Sequence, residues 1–409
     1  MDIAKSQDFQ CDQPILGRKG MIFFLVLMDM FIPFSTDMYL PALPAMSDHF
    51  NAPAFILNLT LSLFFLFYAI GILLWGPLSD RYGRKRVLLS GVMLYVVGSL
   101  ICCVTGSVAV MIAARIVQGL GTGAIASVAM AIVKDSYSGE RRERVLALVQ
   151  AVSGLAPMIA PISGAAVLHA FGWRANFIVL ALVGCICLIL TFLYKETLPP
   201  EERNAGGIFA SFHHLFMVCK NKSLLLPLLI FSFMMLPFMG YISISSYIYE
   251  DFFGLTATLY SIFFACNALI SLLGPIFYIR VFLQRSKRRF AFITLTMGLL
   301  SGIAVLFFGR IAPLVFFLCY MFFSFAVTAN RPFASNLLLD QQSGDTGSVS
   351  ALINFVYAIF GFIGMMFASS GTVEHLVTRT GASVAIVTAL QLIFWIILLR
   401  SKLPCRGIK

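Results

Sequence analysis

Long, continuously apolar segments dominate this sequence, and they constrain its fold more than any other feature. The chain has 409 residues, of which 60% are hydrophobic and only 11% are charged, whereas a soluble protein carries about 25% charged residues. A helix of about 20 apolar residues crosses the hydrocarbon core of a bilayer, and the segments lack the alternation that the strands of a membrane barrel require. The sequence therefore predicts an all-α polytopic protein embedded in a lipid bilayer, with twelve transmembrane helices at 20–41, 55–76, 86–104, 108–132, 145–168, 173–194, 224–246, 257–279, 289–309, 312–334, 348–370 and 381–400.

A polar interval divides the twelve segments into two sets of six. Residues 195–223 form the longest polar stretch and include prolines, glycines and several charges. We therefore predict an N-terminal six-helix bundle over 1–194, a cytoplasmic linker over 195–223 and a C-terminal six-helix bundle over 224–409. The halves are expected to be pseudo-symmetric, because LLGPIFYIR in the second half partly repeats LLWGPLSDR in the first.

Basic residues are distributed unequally between the two sides of the predicted membrane. Of the 29 Lys and Arg residues, 24 lie at the termini and in loops on one side, three lie in loops on the other side and two lie within spans. Cytoplasmic loops carry such an excess, so both termini are predicted to be cytoplasmic. This bias accounts for the net charge of +11, and it does not indicate a nucleic-acid partner.

The loop between the second and third spans, GPLSDRYGRKRVL, is a dense charge cluster. It contains Gly76, Asp80, Arg81, Gly83 and Arg84. Glycine allows the chain to turn sharply and helices to approach closely. Asp80 has three predicted partners: the positive N-terminal end of the eleventh helix near Gly347, Lys134, or Arg142.

Two aspartates lie inside the first span, Asp29 near its middle and Asp37 towards its outer end. An ionisable group within the bilayer is costly and indicates function. A low-dielectric surrounding disfavours the charged form, which is the property that a proton carrier needs. Two simpler interpretations remain, a polar contact between helices for Asp29 and a position near the membrane surface for Asp37.

The fourth and fifth spans carry the next motifs. Arg115 lies at a depth similar to that of Asp37, so an ion pair or a water-bridged pair is expected if their helices are neighbours, and Gln118 shares a helix face with Arg115. In the fifth span, Pro157 and Pro161 loosen consecutive turns, and Gly164 belongs to a face of small residues repeated every four positions.

The second half of the sequence contains candidate residues for a substrate pocket but no further motif for proton coupling. Its seventh span is rich in Phe, Met and small polar residues, and flexible thioethers and aromatic faces suit a pocket that accepts many shapes. Contacts between helices, or with lipid, explain the same residue types equally well. The candidate cavity residues are Tyr39, Met235, Phe238, Tyr241, Asn267 and Asn330.

Together these motifs resemble the major facilitator superfamily, whose signature loop matches GPLSDRYGRKRVL. TDMYLPALP, RIVQGLGTG, the Ala-Pro repeat and GWRANF resemble the bicyclomycin and chloramphenicol resistance branch of its drug:proton antiporters. The resemblance implies a monomer in a bacterial inner membrane that exports lipophilic neutral or cationic drugs in exchange for protons. It assigns proton coupling to Asp37, Asp29, Arg115 and Gln118, and a conformational latch to the 76–88 loop.

Other functions remain open. The same machinery fits a dedicated exporter of an endogenous metabolite, such as a siderophore or a sugar. Ala160, where the antiporter motif has glycine, slightly favours a proton-coupled importer. A non-transporting sensor is disfavoured, because it has no need to keep buried charges. The sequence contains no nucleophile–base arrangement, metal-ligand spacing or phosphate loop, so we expect no enzyme activity, no metal and no cofactor.

Overall fold

The computed structural model describes residues 13–203, 221–282, 286–339, 341 and 346–400. Most of the predicted linker, residues 204–220, lies outside these ranges, as do parts of both termini. Within the described residues the chain forms no strand and folds into these α-helices: α1 Gly17–Asp37, α2 Leu43–Phe50, α3 Ala54–Tyr82, α4 Arg84–Val104, α5 Val108–Ser136, α6 Gly139–Ser153, α7 Ala156–Phe171, α8 Trp173–Leu193, α9 Lys222–Ser232, α10 Met235–Ser246, α11 Ala257–Phe277, α12 Lys287–Phe308, α13 Pro313–Leu339, α14 Thr346–Ser369 and α15 Leu376–Arg400.

Twelve segments of the described chain are long and apolar enough to cross a membrane. The predicted all-α fold with twelve spans is therefore confirmed. Eight spans lie within four residues of their predicted limits, whereas the first, second, seventh and twelfth extend six to nine residues further at one end. The first, fifth and seventh spans are each built from more than one helix.

The interruptions coincide with prolines. The fifth span was predicted as one helix, but it breaks between α6 and α7, and Pro157 lies in the first turn of α7. Proline is tolerated there because the first amides of a helix have no intrahelical acceptor. Pro157 thus lies next to a break of the span, and Pro161, one turn further on, lies inside α7. The seventh span breaks similarly between α9 and α10, and Pro237 lies within the first turn of α10.

The first and seventh spans are also longer than predicted. After α1 ends at Asp37, a short 3₁₀ turn over Leu40–Ala42 leads directly into α2, so the segment extends to Phe50. The seventh span continues beyond Ser246 through a π-helical turn, Tyr247–Phe252.

The described chain divides into two compact units. The first comprises the described parts of Met1–Ala42 and Leu63–Ser211. Glycines set the spacing of its helices: a Cβ on Gly121 of α5 would lie 2.5 Å from the Gly91 carbonyl oxygen of α4, and one on Gly119 would lie 2.5 Å from the Phe64 carbonyl oxygen of α3. Such approaches strengthen van der Waals contact between helices in lipid.

The second unit comprises Leu43–Ser62 and the described parts of Phe212–Lys409. It thus includes α2 and the start of α3, which the predicted boundaries placed with residues 1–194. Helices α12 and α15 approach closely, since a Cβ on Gly302 would lie 2.5 Å from the Ala385 amide nitrogen.

Candidate functional site

The first candidate carboxylate, Asp37, lies where α1 ends. Asp37 is the last residue of that helix and only 7% of it is exposed. Its Oδ1 accepts a hydrogen bond of 2.8 Å from the Thr36 hydroxyl, which also lies 3.0 Å from the Ile32 carbonyl oxygen. Among the described residues, no cation forms an ion pair with Asp37; both ion pairs found there belong to Arg84.

Arg115 of α5 is fully buried against the same end of α1. Its Nη2 donates a hydrogen bond of 2.9 Å to the Ser35 carbonyl oxygen. This carbonyl is one of the last four in α1, which have no intrahelical donor. The guanidinium also lies over the rings of Phe64, at 4.2 Å, and Tyr39, at 4.6 Å. Arg115 therefore caps α1 two residues before Asp37, and its charge offsets the negative end of the helix dipole.

A chain of hydrogen bonds holds Arg115 in this position. Its Nη1 donates to Gln118 Oε1, and Gln118 Nε2 donates to the Ser99 hydroxyl at 2.7 Å. Ser99 bonds to the Tyr95 carbonyl oxygen at 2.8 Å, while the Tyr95 hydroxyl lies 2.7 Å from the Ser35 hydroxyl. The network thus returns to α1, and Ser35, Tyr95 and Ser99 are members that sequence reasoning missed.

Arg115 and Asp37 were expected to form an ion pair or a water-bridged pair. The structure places Arg115 beside the Asp37 segment, but its described hydrogen bonds go to Ser35 and Gln118. A direct ion pair between them is not present among the described residues. Arg115 instead contacts the end of α1 through the Ser35 carbonyl, two residues before Asp37.

Asp29 occupies a different environment from Asp37. The two are eight residues apart on α1, which corresponds to about 12 Å along the helix axis. Asp29 is half-buried and faces the Ser153 hydroxyl at the end of α6, without a hydrogen bond of good geometry. The two carboxylates therefore do not share a proton directly.

Helix α7 packs directly on the segment after Asp37. Gly164 lies so close to Met38 that a Cβ added there would collide with the Met38 carbonyl oxygen. Pro161 and Ala160 on the same helix are also buried. The predicted small-residue face of the fifth span thus contacts the end of α1.

The 76–88 segment was predicted as a loop, but α3 continues to Tyr82 and α4 begins at Arg84, so only Gly83 lies between the helices. Arg84, which is 6% exposed, organises this segment. Its Nη1 pairs with Asp80 at 2.5 Å and its Nε pairs with Asp135 at 2.8 Å. The ion pair of Asp80 is thus with Arg84, so the predicted partners Lys134 and Arg142 are wrong. Arg81 is exposed and its guanidinium lies 5.3 Å from the centre of the Tyr82 ring.

Glu196 supplies a cap for α4 that the sequence did not reveal. Gly83 precedes α4 with a φ of 94°, in the left-handed region that favours glycine. The Glu196 carboxylate accepts hydrogen bonds from the backbone amides of Arg84, at 3.0 Å, and Lys85, at 3.1 Å. It therefore satisfies two amides at the positive end of that helix. Gly76, by contrast, has open space around its Cβ position.

The predicted cavity residues divide between the two units, with Tyr39 in the first and the other five in the second. Tyr39 belongs to the Arg115 site in the first unit. Asn330 accepts from Thr294 at 3.2 Å and donates to the Ala326 carbonyl oxygen at 2.8 Å, which fits a contact between helices. Asn267 is buried, and its Oδ1 has no hydrogen-bond partner among the described residues.

Tyr241 borders a cavity of about 290 Å³ between α10, α14 and α15. Its ring stacks on Tyr320 with centroids 4.0 Å apart. Met235 is buried and Phe238 half-buried on the same helix, and neither borders this cavity. The cavity walls are mostly apolar, so it fits an apolar group better than a charged one.

Buried ionisable groups inside the spans of a twelve-helix membrane protein are typical of transporters. The chain belongs to the Major Facilitator Superfamily, because that family's profile matches residues 23–365. The predicted superfamily fold is thereby confirmed, as is the expectation of a transporter rather than an enzyme, and the chain is a multi-pass protein of the bacterial inner membrane.

Relatives of known name agree with this placement. The chain is 29% identical to "Uncharacterized MFS-type transporter YdgK" of Bacillus subtilis, over 85% of this chain and 87% of the relative. It is 27% identical to "Bicyclomycin resistance protein homolog" of Haemophilus influenzae, over 90% and 95% respectively. It is 35% identical to "Multidrug resistance protein MdtL" of Escherichia coli, over 43% and 45%. The resemblance to the bicyclomycin resistance branch is thus confirmed.

A solved structure shows the same fold at low identity. The chain superposes on a D-xylose-proton symporter with a TM-score of 0.71, at 15% identity, covering 95% of this chain and 98% of the symporter. At this identity, the likeness concerns the fold alone.

Proposed function

We propose that the protein is a proton-coupled exporter of lipophilic neutral or cationic drugs that works by alternating access. The observation that carries the proposal is the buried Arg115, which caps α1 through the Ser35 carbonyl two residues before the buried Asp37. The names of the bicyclomycin and multidrug resistance relatives support drugs as the substrate class.

In this mechanism, Asp37 exchanges its proton for the substrate. Arg115 keeps its own charge at all working pH values, so the proton moves on the carboxylate. Protonation removes a negative charge beside the capped end of α1 and biases the protein towards one of its two states. A ligand or proton shifts such an equilibrium only by its difference in affinity for the two states. Asp29, about 12 Å away along α1, serves cationic substrates as a second negative charge.

The available driving force is adequate. One pH unit corresponds to about 1.36 kcal/mol, and one charge that crosses 100 mV corresponds to about 2.3 kcal/mol. Their sum, roughly 3.7 kcal/mol per proton, supports about a 500-fold gradient of a neutral substrate.

The proposal also includes the orientation of the protein in the membrane and its moving parts. Both termini face the cytoplasm because of the excess of basic residues on that side. The protein acts as a monomer whose two six-helix bundles, 1–194 and 224–409, are the moving parts. The 76–88 loop, organised by the Arg84 ion pairs, is the latch between states.

Drug-triggered proton release tests this function. Purified protein in detergent at weak buffering receives chloramphenicol, ethidium or tetraphenylphosphonium, and the pH change is recorded. We expect release from the wild type and its loss in Asp37→Asn, with Asp48→Asn, an exposed carboxylate, as the matched control. Release that persists at the wild-type level in Asp37→Asn would overturn the role of Asp37. No release with any compound from folded wild-type protein would favour a dedicated metabolite exporter.

A further inference from the structure

A further acid lies in the C-terminal unit, at the end of the seventh span. Glu250 belongs to the π-helical turn Tyr247–Phe252, inside the segment Ser223–Phe252 that is apolar enough to span a membrane. Turns of π-helix are rare and are frequent at functional sites. Neither the motifs of the sequence nor the proposed exchange at Asp37 accounts for this residue.

One oxygen of the Glu250 carboxyl group lacks a compensating contact, and the residue as a whole is half-buried. Its Oε1 is buried and has no hydrogen-bond partner among the described residues. No ion pair of the described chain includes it. Its neighbour along the chain, Asp251, is an exposed acid of the same sign and therefore supplies no compensating charge.

The elements around the turn offer no cation in contact with Glu250. The turn packs against α2, α10, α11 and the short 3₁₀ turn Val373–His375. The Arg310 guanidinium approaches this region, but it lies over the Phe252 ring, 5.5 Å from its centre. The titratable groups on these elements and on the turn itself are Asp48, His49, Tyr241, Tyr247, Tyr249, Asp251, Tyr260, Cys266, Glu374 and His375.

Aromatic rings surround the turn and keep its interior apolar. Tyr249 is fully buried and stacks on Phe263 with centroids 5.0 Å apart. Phe316 meets the same tyrosine edge-on at 5.6 Å. An ionised carboxylate next to such a cluster, with an oxygen that no donor reaches, carries a large desolvation cost. Binding a proton removes that cost.

We propose that Glu250 is a second proton-binding site of the transporter, located in the C-terminal unit and protonated in this conformation. Its ligand is the proton itself, and its release requires a conformation that brings water or a cation to the buried oxygen. A role of Glu250 in transport depends on the proposed proton coupling. Its protonation in this conformation can be tested independently of that proposal.

Infrared difference spectroscopy of purified protein at neutral pH tests this assignment. A protonated carboxyl group gives a C=O stretching band that an ionised carboxylate lacks. We expect the wild type to show such a band and Glu250→Gln to lose part of it. The matched control, Asp251→Asn, alters the exposed neighbouring acid and should leave the band unchanged.

A second variant at position 250 distinguishes loss of the proton site from loss of folding. Glu250→Asp retains an acid, so the band should shift in frequency rather than disappear, even if Glu250→Gln folds poorly. An identical carboxylic-acid band in wild type and folded Glu250→Gln would overturn the proposal. The measurement needs no drug, so failure of the drug-triggered release leaves it intact. Conversely, an ionised Glu250 leaves the proposed exchange at Asp37 intact.

Discussion

The guanidinium of Arg115 donates a 2.9 Å hydrogen bond to the backbone carbonyl of Ser35, across 80 positions of the chain. This contact joins the fourth span to the end of the first, two residues before Asp37. Because the acceptor is a helix-terminal carbonyl and not a carboxylate, this contact does not require a charged Asp37. In the proposed mechanism, the arginine therefore holds the end of α1 while Asp37 binds and releases its proton.

Replacement of Arg115 by lysine should disrupt this arrangement while keeping the charge. Lysine lacks the planar fork that reaches both Gln118 and the Ser35 carbonyl. We expect drug-triggered proton release to fall at least about tenfold, which is about 1.4 kcal/mol of lost coupling. Arg174→Lys, at the start of α8 on the side predicted to face outward, is the matched control. Wild-type release from Arg115→Lys would mean that charge alone suffices.

Removal of the Tyr95 hydroxyl should loosen the same network from its other side. Tyr95→Phe keeps the ring but deletes the hydroxyl that lies 2.7 Å from Ser35. Hydrogen bonds between membrane helices contribute about 0.6 kcal/mol on average, so we expect a small loss of thermal stability with a clear change in the pH dependence of drug binding. Fluorescence-based unfolding and binding titrations measure the two. An unchanged pH profile would show that Tyr95 is only a packing residue.

A methyl group at Gly164 should separate α7 from α1. The added Cβ of Gly164→Ala collides with the Met38 carbonyl oxygen, and overpacking of this kind costs about 1–3 kcal/mol. We expect a lower unfolding temperature in detergent and reduced drug export. Gly106→Ala is the control, because nothing lies within 4 Å of its Cβ position. Equal unfolding temperatures for the two variants would contradict the tight approach.

Neutralising Glu196 should weaken the N-terminus of α4. Glu196→Gln removes the charge that receives the amides of Arg84 and Lys85, and loss of a helix cap costs about 1 kcal/mol. Thermal unfolding should therefore occur at a lower temperature than in Glu201→Gln, which alters an exposed carboxylate nearby. If both variants unfold like the wild type, the Glu196 contacts do not contribute to stability.

Much of the fold was predictable from local features. Apolar length determines spans, so the twelve helices and the superfamily were recognised correctly. The helical repeat places Arg115 and Gln118 on one face, and the structure joins them by a hydrogen bond. The breaks near Pro157 and Pro237 were harder to foresee, because proline is compatible with a kink, a break or a first helical turn.

The partners of the site residues were not predictable. Asp80 had several cationic candidates, and the structure selects Arg84. Ser35, Tyr95 and Ser99 are common polar residues on two helices, and none of them forms a recognisable motif in the sequence. Only the folded structure joins them by hydrogen bonds. The roles of Asp37 and Asp29 in proton coupling stay predictions.

The sequence by itself determined that this chain crosses a membrane twelve times, and which charged groups must enter the bilayer with it. Hydropathy and charge are properties of each segment, so they can be obtained from the sequence without knowledge of the tertiary contacts. Only the tertiary structure decided that Arg115 caps α1 through Ser35, that Glu196 caps α4, and that the Glu250 carboxyl oxygen is buried without a partner. Those outcomes depend on which helices pack together, because a hydrogen bond between residues far apart in the chain forms only where the fold brings them within about 3 Å.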